Sequence, residues 1–505
     1  MRGGEVVLGI DIGTSTSRGV IAWPDGRTIA TAERAHTVSS PRPGWVEHDA
    51  EAVWWADFTS LCGELLAQAP GPIAAVCASG AGPCMLVADE AGRPLRPAIL
   101  YGVDTRATQE IAELSDRYGA EHILQRCGSP LSTQAVGPKL AWIRRHEPDV
   151  WRRTRKLFLI NSFLVYRLTG EYALDSHLAS QCTPLYDIHQ NRWIEEWAEQ
   201  IAPGLPLPPL RWPVEIAGVV TPQAATVTGI AAGTPVAMGS NDARTDALSV
   251  GVCDPGDMML TYGTTMYLMN TLPEIRTHPR LWCAVGIEPG IFNLGGGMAT
   301  AGALTDWLRH LVGDVPYEQL AQEAAALAPG SDGLIALPYF AGERSPIFDP
   351  KARGVICGLT LRHGRAHLYR ALIEATAYGV RHILDTMREI DGQGTRLVAV
   401  GGGARGGLWP QIVSDVTGRV QELPSVILGA CYGSALLAAR AVGLVEPTAR
   451  WNAIAGYVEP IRRAHEIYDT LYPLYRDLYP ATLPQMHALA DLQISDSARD
   501  STPAR

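Results

Sequence analysis

The chain has 505 residues, 47% of them apolar, more than one hydrophobic core usually supports, so two domains of about 200 to 250 residues are expected. A formal net charge of -10 and the absence of any dense Lys/Arg block argue against nucleic acid or an anionic membrane as the main partner. Nine scattered cysteines without Cys-x-x-Cys suit free thiols in a reducing compartment, and no stretch approaches ~20 uninterrupted apolar residues, so a cytoplasmic protein without a membrane anchor is expected.

Three strand-like runs open the chain, at residues 6–10, 19–23 and 27–32, separated by Gly-rich or Asp-Gly turns. Such a meander argues against the βαβ start of a dinucleotide-binding half. In the first turn Gly13, Thr14 and Ser15 offer backbone N–H and hydroxyl groups to an anion. Asp11 at the tip of that loop would repel phosphate unless a cation lay between them, which suggests Mg²⁺ bound with a nucleotide, held directly or through water. A helical stretch at 50–68 carries the stripe Trp54, Phe58, Leu61, Leu65, and a buried-looking strand follows at 73–78.

At 234–250 an apolar strand runs into a turn carrying Asp242 and then a helix. A carboxylate at a strand end beside a helix N-terminus is well placed to meet substrate. The same position suits a plain N-cap, and Asp246, four residues on, could share or take the role. The turn cluster Asp254-Pro255-Gly256-Asp257 marks a domain boundary, and a second Gly-Thr hairpin with Gly263, Thr264 and Thr265 begins just after it. Two phosphate-gripping hairpins imply two like domains around one nucleotide. The division expected is 1–253, 254–480 and a tail at 481–505, polar and aperiodic from about Ser495 and so disordered in part. Further along, Gly295-Gly296-Gly297 leads into a helix at 301–311, and a buried strand near 398 opens into Gly401-Gly402-Gly403, where the backbone can approach a flat ligand or a phosphate.

Several chemistries are excluded. The only lysines, Lys139, Lys156 and Lys351, do not follow glycine, so there is no P-loop. Neither a Gly-x-Ser-x-Gly elbow nor His-Glu-x-x-His is present, and His363 with His367 lacks a third ligand, reading as a loop and a helix-start histidine.

Residues 354–374 (GVICGLTLRHGRAHLYRALIE) resemble the second signature of the FGGY carbohydrate kinases, and Lys139-Leu140-Ala141-Trp142-Ile143 matches part of the first, with Val136 where a small hydroxyl residue or proline is usual. Pro43-Gly44-Trp45 with Glu47 and Asp49, Asp104-Thr105-Arg106 and Gly342-Glu343-Arg344-Ser345-Pro346 are also family-like, and the likeness runs from about Val6 to about Pro480. The resemblance implies an α/β chain with the two-domain actin-like ATPase (ribonuclease-H-like) fold, sugar held mainly by the first domain and ATP mainly by the second. It implies Asp242 as the catalytic base and Asp11 near Mg²⁺. It also implies that the loops Gly13-Thr14-Ser15 and Gly263-Thr264-Thr265 hold the phosphates, with Gly302, Gly403, Ala404 and Gly407 around the adenosine.

The substrate expected is a small sugar or polyol, foremost a ketopentose such as xylulose, with ribulose, erythritol-like or glycerol-like acceptors as alternatives; a homodimer is compatible with this reading. Where xylulose kinases carry Gly-Gln-Met-His-Gly in the sugar site, this chain has Gly80-Ala81-Gly82-Pro83-Cys84, and Tyr101 replaces a frequent Trp in the segment ending at Asp104. Gly82, Pro83, Tyr101, Asp104 and Asp242 are therefore the expected sugar contacts, Tyr101 being equally readable as a core aromatic, whereas Glu343-Arg344 reads as a loop ion pair rather than a sugar contact. A different function class, a sugar-sensing or assembly ATPase of the actin-like superfamily, would lack the second signature.

Overall fold

The computed structural model describes residues 4–405 and 407–500. The chain forms two compact units. The first comprises residues up to Asp254 together with Thr271–Asn293 and Leu428–Ala453; the second comprises Pro255–Asn270, Leu294–Ile427 and the chain from Ile454 onward. The expected single boundary near 253 therefore becomes an interleaved division, because helix Ala430–Ala441 packs on the first unit's sheet.

In the first unit, strands β1 (Val6–Ile12), β2 (Thr16–Ala22) and β3 (Thr28–Ala35) form the expected antiparallel meander. After the short β4 (Glu47–His48), β5 (Ile73–Gly80) returns parallel to β1, with Asp11 opposite Ser79. Strand Pro235–Ala237 lies parallel on the other side of β5, which makes the sheet order Ile216–Val219, Pro235–Ala237, β5, β1, β2, β3. Alternate residues of β1 face opposite sides. Val6, Leu8, Ile10 and Ile12 pack with the stripe Trp54, Phe58, Leu61, Leu65, all fully buried. Val7 faces Ala435 and Leu436 of helix Ala430–Ala441. That helix also lies against helix Asp242–Ser249, and there is no room between them for a side chain: a Cβ on Gly433 would stand 1.8 Å from the Thr245 carbonyl oxygen.

The second unit repeats the theme. Strand Asp257–Tyr262 pairs antiparallel with Met266–Leu272 through the Gly263 turn and parallel with Arg396–Val400. Gly295, Gly296 and Gly297 lie inside strand Phe292–Met298, which leads into helix Gly302–Leu311. At Gly295 the reason for glycine is packing, since a Cβ there would meet the Tyr267 hydroxyl at 2.2 Å. The expected tail at 481–505 is corrected over its described part, because helix Arg462–Asp500 runs on to Asp500. Met486 and Ala490 are buried, His487 meets Asp349 at 2.8 Å and Lys351 pairs with Asp491, contacts that the polar spacing conceals. Residues 501–505 lie outside the described residues.

Gly433→Ala should lower Tm by several degrees, the scale of an overpacked contact costing ~1–3 kcal/mol or more. Gly63→Ala, in the interior of helix Ala56–Leu66 with nothing within 4 Å of the new Cβ, should hold or raise it. Calorimetric melting of the two variants checks the contrast.

Candidate active site

Parallel pairing of β1, β5 and Pro235–Ala237 brings the ends of three strands to one edge of the first sheet. Asp11 comes from the end of β1, Ser79 from the end of β5, and Asn241 and Asp242 from the turn after Pro235–Ala237, where Gly80 bridges to Asn241. The Asn241 side chain accepts the Arg244 N–H at 2.9 Å and so caps the helix. Asp242 is thereby relieved of that duty. It is the first helical residue, and its carboxylate accepts from the adjacent Ala243 N–H at 2.7 Å.

Three half-buried carboxylates share this edge. Ser79 Oγ donates to Asp11 Oδ1 at 2.8 Å, and Ser434 Oγ reaches Ser79 Oγ at 3.0 Å. Burial and the nearby Asp11 charge push the Asp242 carboxyl well above the usual range. Asp11 is likewise raised by burial, against the lowering effects of the Ser79 hydrogen bond and the Arg18 guanidinium. Asp246, one turn after Asp242, is pushed up to about 7 by burial and by Asp11. Arg18, opposite Asp11 in the β1–β2 register, is the counter-charge that the sequence reading missed; the mirror register about the Gly13–Ser15 turn could have found it. No group of three or more His, Cys, Asp or Glu side chains converges as a metal cage among the described residues.

The expected sugar contacts divide. Tyr101 is not simply a core aromatic: its hydroxyl lies 3.2 Å from Thr14 Oγ1, at the first hairpin. Gly82 is packed so closely that a Cβ would meet Leu178 at 2.8 Å and Asn241 at 2.9 Å, and Pro83 beside it is buried, so neither brings a polar side chain. Asp104 is a correction. Its side chain is fully buried and saturated by Arg106, at 2.6 Å from Nη2, and by the Val46 N–H at 2.7 Å, while Arg106 stacks on Trp45 at 4.0 Å. The Pro43-Gly44-Trp45, Glu47 and Asp104-Thr105-Arg106 motifs thus form one internal ion-pair cluster.

In the second unit, the Gly263 turn is covered by the N-terminus of helix Gly302–Leu311: Gly302 N–H donates to Gly263 O at 3.0 Å, and a Cβ at Gly302 would meet that oxygen at 2.7 Å. Strand Arg396–Val400 ends beside Tyr262, so the turn Gly402–Arg405, with Gly403 and Ala404, lies at the same edge as Gly263–Thr265. Gly401, with φ +95°, must be glycine there because a Cβ would stand 2.5 Å from Tyr262 O. Gly407 precedes helix Leu408–Thr417. The expected Glu343–Arg344 ion pair is replaced by backbone contacts. Glu343, pushed up to about 8 by burial, accepts the N–H groups of Ala299 and Arg344, and Arg344 Nη2 donates to Met298 O. His363 and His367 accept from the backbone N–H groups of Thr360 and Gly364, as loop and helix-start residues.

Residues 6–249 match the N-terminal domain, and residues 258–442 the C-terminal domain, of the FGGY family of carbohydrate kinases. The chain belongs to this family. It is therefore a carbohydrate kinase, a phosphotransferase with an alcohol group as acceptor, and its two-domain α/β fold is the actin-like one. It is similar to a glycerol kinase of Nocardia farcinica (33% identity, 88% of this chain and 93% of that one) and to a xylulose kinase of Escherichia coli (29% identity, 95% and 99%). Among solved structures it resembles the xylulose kinase from Rhodospirillum rubrum, at 32% identity and a TM-score of 0.88 over 95% of this chain and 100% of that one. No helix of the described residues is long and apolar enough to cross a membrane.

The raised Asp246 carboxyl predicts a pH signature in this FGGY kinase. Between the ordinary value of 3.8 and about 7, the folded protein holds a proton that the unfolded chain has released, so this group's stabilisation is complete in acid and is lost as pH rises through 7. Asp246→Asn should accordingly melt higher than the parent at pH 8, with the gap closing toward pH 5, as scanning calorimetry across that range would record.

Proposed function

We propose that this chain transfers the terminal phosphoryl group of ATP to a hydroxyl of a small sugar, a ketopentose or related polyol, with Asp242 as general base. The observation that carries the reading is the division of labour at the helix start: Asn241 makes the cap, and the Asp242 carboxylate stands at the strand edge beside Asp11. A carboxylate raised toward the working pH is an effective proton acceptor, because it combines enough basicity with a substantial ionised fraction. Phosphoryl transfer otherwise asks for positioning and charge neutralisation. The turn Gly13–Ser15 in the first unit and the turn Gly263–Thr265 with Gly302 in the second supply N–H and hydroxyl groups suited to phosphate oxygens; in the segment read as the adenosine side, Gly407 has open space where a Cβ would stand, and Gly403 packs against Trp409. Arg18 adds a positive charge near Asp11.

Asp11 fits a role as the carboxylate toward Mg²⁺, an ion that takes one or two protein carboxylates and otherwise keeps water and phosphate oxygens. That ion would neutralise charge on the phosphates. Ser79 holds Asp11 Oδ1 and so fixes the direction of the carboxylate.

The acceptor pocket supports a preference different from that of the xylulose kinases. Gly82 and Pro83 carry no hydrogen-bonding side chain, and the Tyr101 hydroxyl is already beside Thr14. Losing one donor to a substrate hydroxyl costs the matched sugar ~1–3 kcal/mol. The relatives themselves bear the names of glycerol, xylulose and gluconate kinases, so the acceptor varies across this family.

Asp242→Asn should keep the fold and nucleotide binding while lowering turnover by ~10²-fold or more, the scale of general-base catalysis. Damage from Asp246→Asn alone, with Asp242→Asn harmless, would reverse the assignment. For the acceptor, a coupled ATP-consumption screen over ketopentoses, ketohexoses, polyols and gluconate should find D-xylulose a poor or non-exclusive substrate by kcat/KM. A large and clear preference for D-xylulose would show that another residue replaces the lost contact.

A further inference from the structure

The first hairpin is backed by two histidines. Its turn carbonyls do not face solvent: Gly13 O accepts from His36 Nε2 at 3.2 Å, Thr14 O from His48 Nε2 at 3.1 Å, and Ser15 O from the His36 backbone N–H at 3.0 Å. Each ring is itself held. Trp54 Nε1 donates to His48 Nδ1 at 3.1 Å, which assigns the His48 proton to Nε2. His36 Nδ1 meets Asp57 Oδ2 at 2.8 Å, and the same oxygen accepts Ser17 Oγ at 2.7 Å. The two rings touch edge to face, with centroids 5.1 Å apart. Burial and the neighbouring His36 keep His48 neutral, its pKa lowered to about 4, consistent with that tautomer.

In a trans peptide the carbonyl and the following N–H point in opposite directions. Holding Gly13 O and Thr14 O toward the histidines therefore turns the N–H groups of Thr14 and Ser15 the other way, as a pair of donors for an anion. The second hairpin arrives at the same result by different means. There the corresponding carbonyls, Gly263 O and Thr264 O, accept from the backbone N–H of Gly302 at 3.0 Å and from those of Ala301 and Ala303 at 2.9 and 3.2 Å. A helix N-terminus does in one unit what two imidazoles do in the other.

We propose that His36 and His48 are positioning residues for phosphoryl transfer, clamping the carbonyls of the Gly13–Ser15 turn so that its N–H groups are presented to the phosphate chain of the nucleotide. The inference rests on the reading of that turn as a phosphate site. It assigns function to a pair of residues through the turn carbonyls they hold.

The test is calorimetric binding of two probes to the full-length enzyme: the Mg²⁺ complex of β,γ-imido ATP, which carries the phosphates, and adenosine, which does not. His48→Leu and His36→Leu should each weaken the imido nucleotide by on the order of tenfold and leave adenosine unchanged, the loss expected when charge-assisted hydrogen bonds are misdirected. His48→Gln and His36→Gln, whose amide nitrogen can stand near Nε2, should restore binding to within about threefold. Equal weakening of both probes, or glutamine no better than leucine, overturns the proposal, and so does unchanged binding in both leucine variants. Gly13→Ala separates the two levels of the argument, since its Cβ would stand 2.6 Å from Thr16 O and distort the turn. Unchanged imido-nucleotide binding in Gly13→Ala removes the phosphate site itself; weakened binding there with normal binding in the leucine variants removes only the histidine clamp.

Discussion

Parallel pairing is the constraint on which the first unit's chemistry depends. Once β1, β5 and Pro235–Ala237 run in the same direction, their C-terminal ends must emerge at one edge, and whatever follows each strand is delivered to one place. Asp11, Ser79 and Asp242 are separated widely in sequence yet need no long-range loop to meet. The second unit uses the same arrangement, Asp257–Tyr262 beside Arg396–Val400, to deliver the turns at Gly263 and Gly402.

That convergence concentrates negative charge. Asp11 raises the proton affinity of Asp242 and Asp246, Asp246 adds to that of Asp242, and the fold answers in part with Arg18, whose guanidinium is shared with Glu33 at 2.8 Å. Such an uncompensated cluster is unfavourable for the empty protein and useful for one that receives a cation with its phosphates. The hydroxyl relay from Ser434 through Ser79 to Asp11 orients one carboxylate without neutralising it.

Local signals were legible in the sequence. Both hairpins, the Trp54 to Leu65 stripe, and the strand and helix around Asp242 follow from periodicity and turn chemistry, and the structure has them within a few residues. The resemblance carried the family. Contacts made at a distance were not legible. Ser434 lies 355 residues from Ser79, and nothing in its own surroundings points there. Asp104 looked like a sugar contact because a motif gives residue types and not partners; Arg106, two residues on, consumes it. The Gly295–Gly297 cluster was read for the helix it leads into, and the Tyr267 ring that packs on Gly295 lies too far along the chain to be read there. Nor were the contacts that hold the end of the final helix legible, because its polar residues do not disclose their partners Asp349 and Lys351.

The interleaving of the two units sets an order of events during synthesis. Val7, Val20, Ala75 and Cys77 on one face of the first sheet are covered by helix Ala430–Ala441, whose backbone comes so close that a Cβ on Gly9 would stand 2.1 Å from Cys431 O. At about 5–20 residues per second, the ribosome needs roughly ten to forty seconds to travel from the end of the first segment to that helix. Throughout that interval the nascent sheet holds an apolar face with no cover of its own. The first unit is thus finished only after most of the second has been made, and the two halves of the gene cannot be expressed as independent folding pieces without moving that helix to the front.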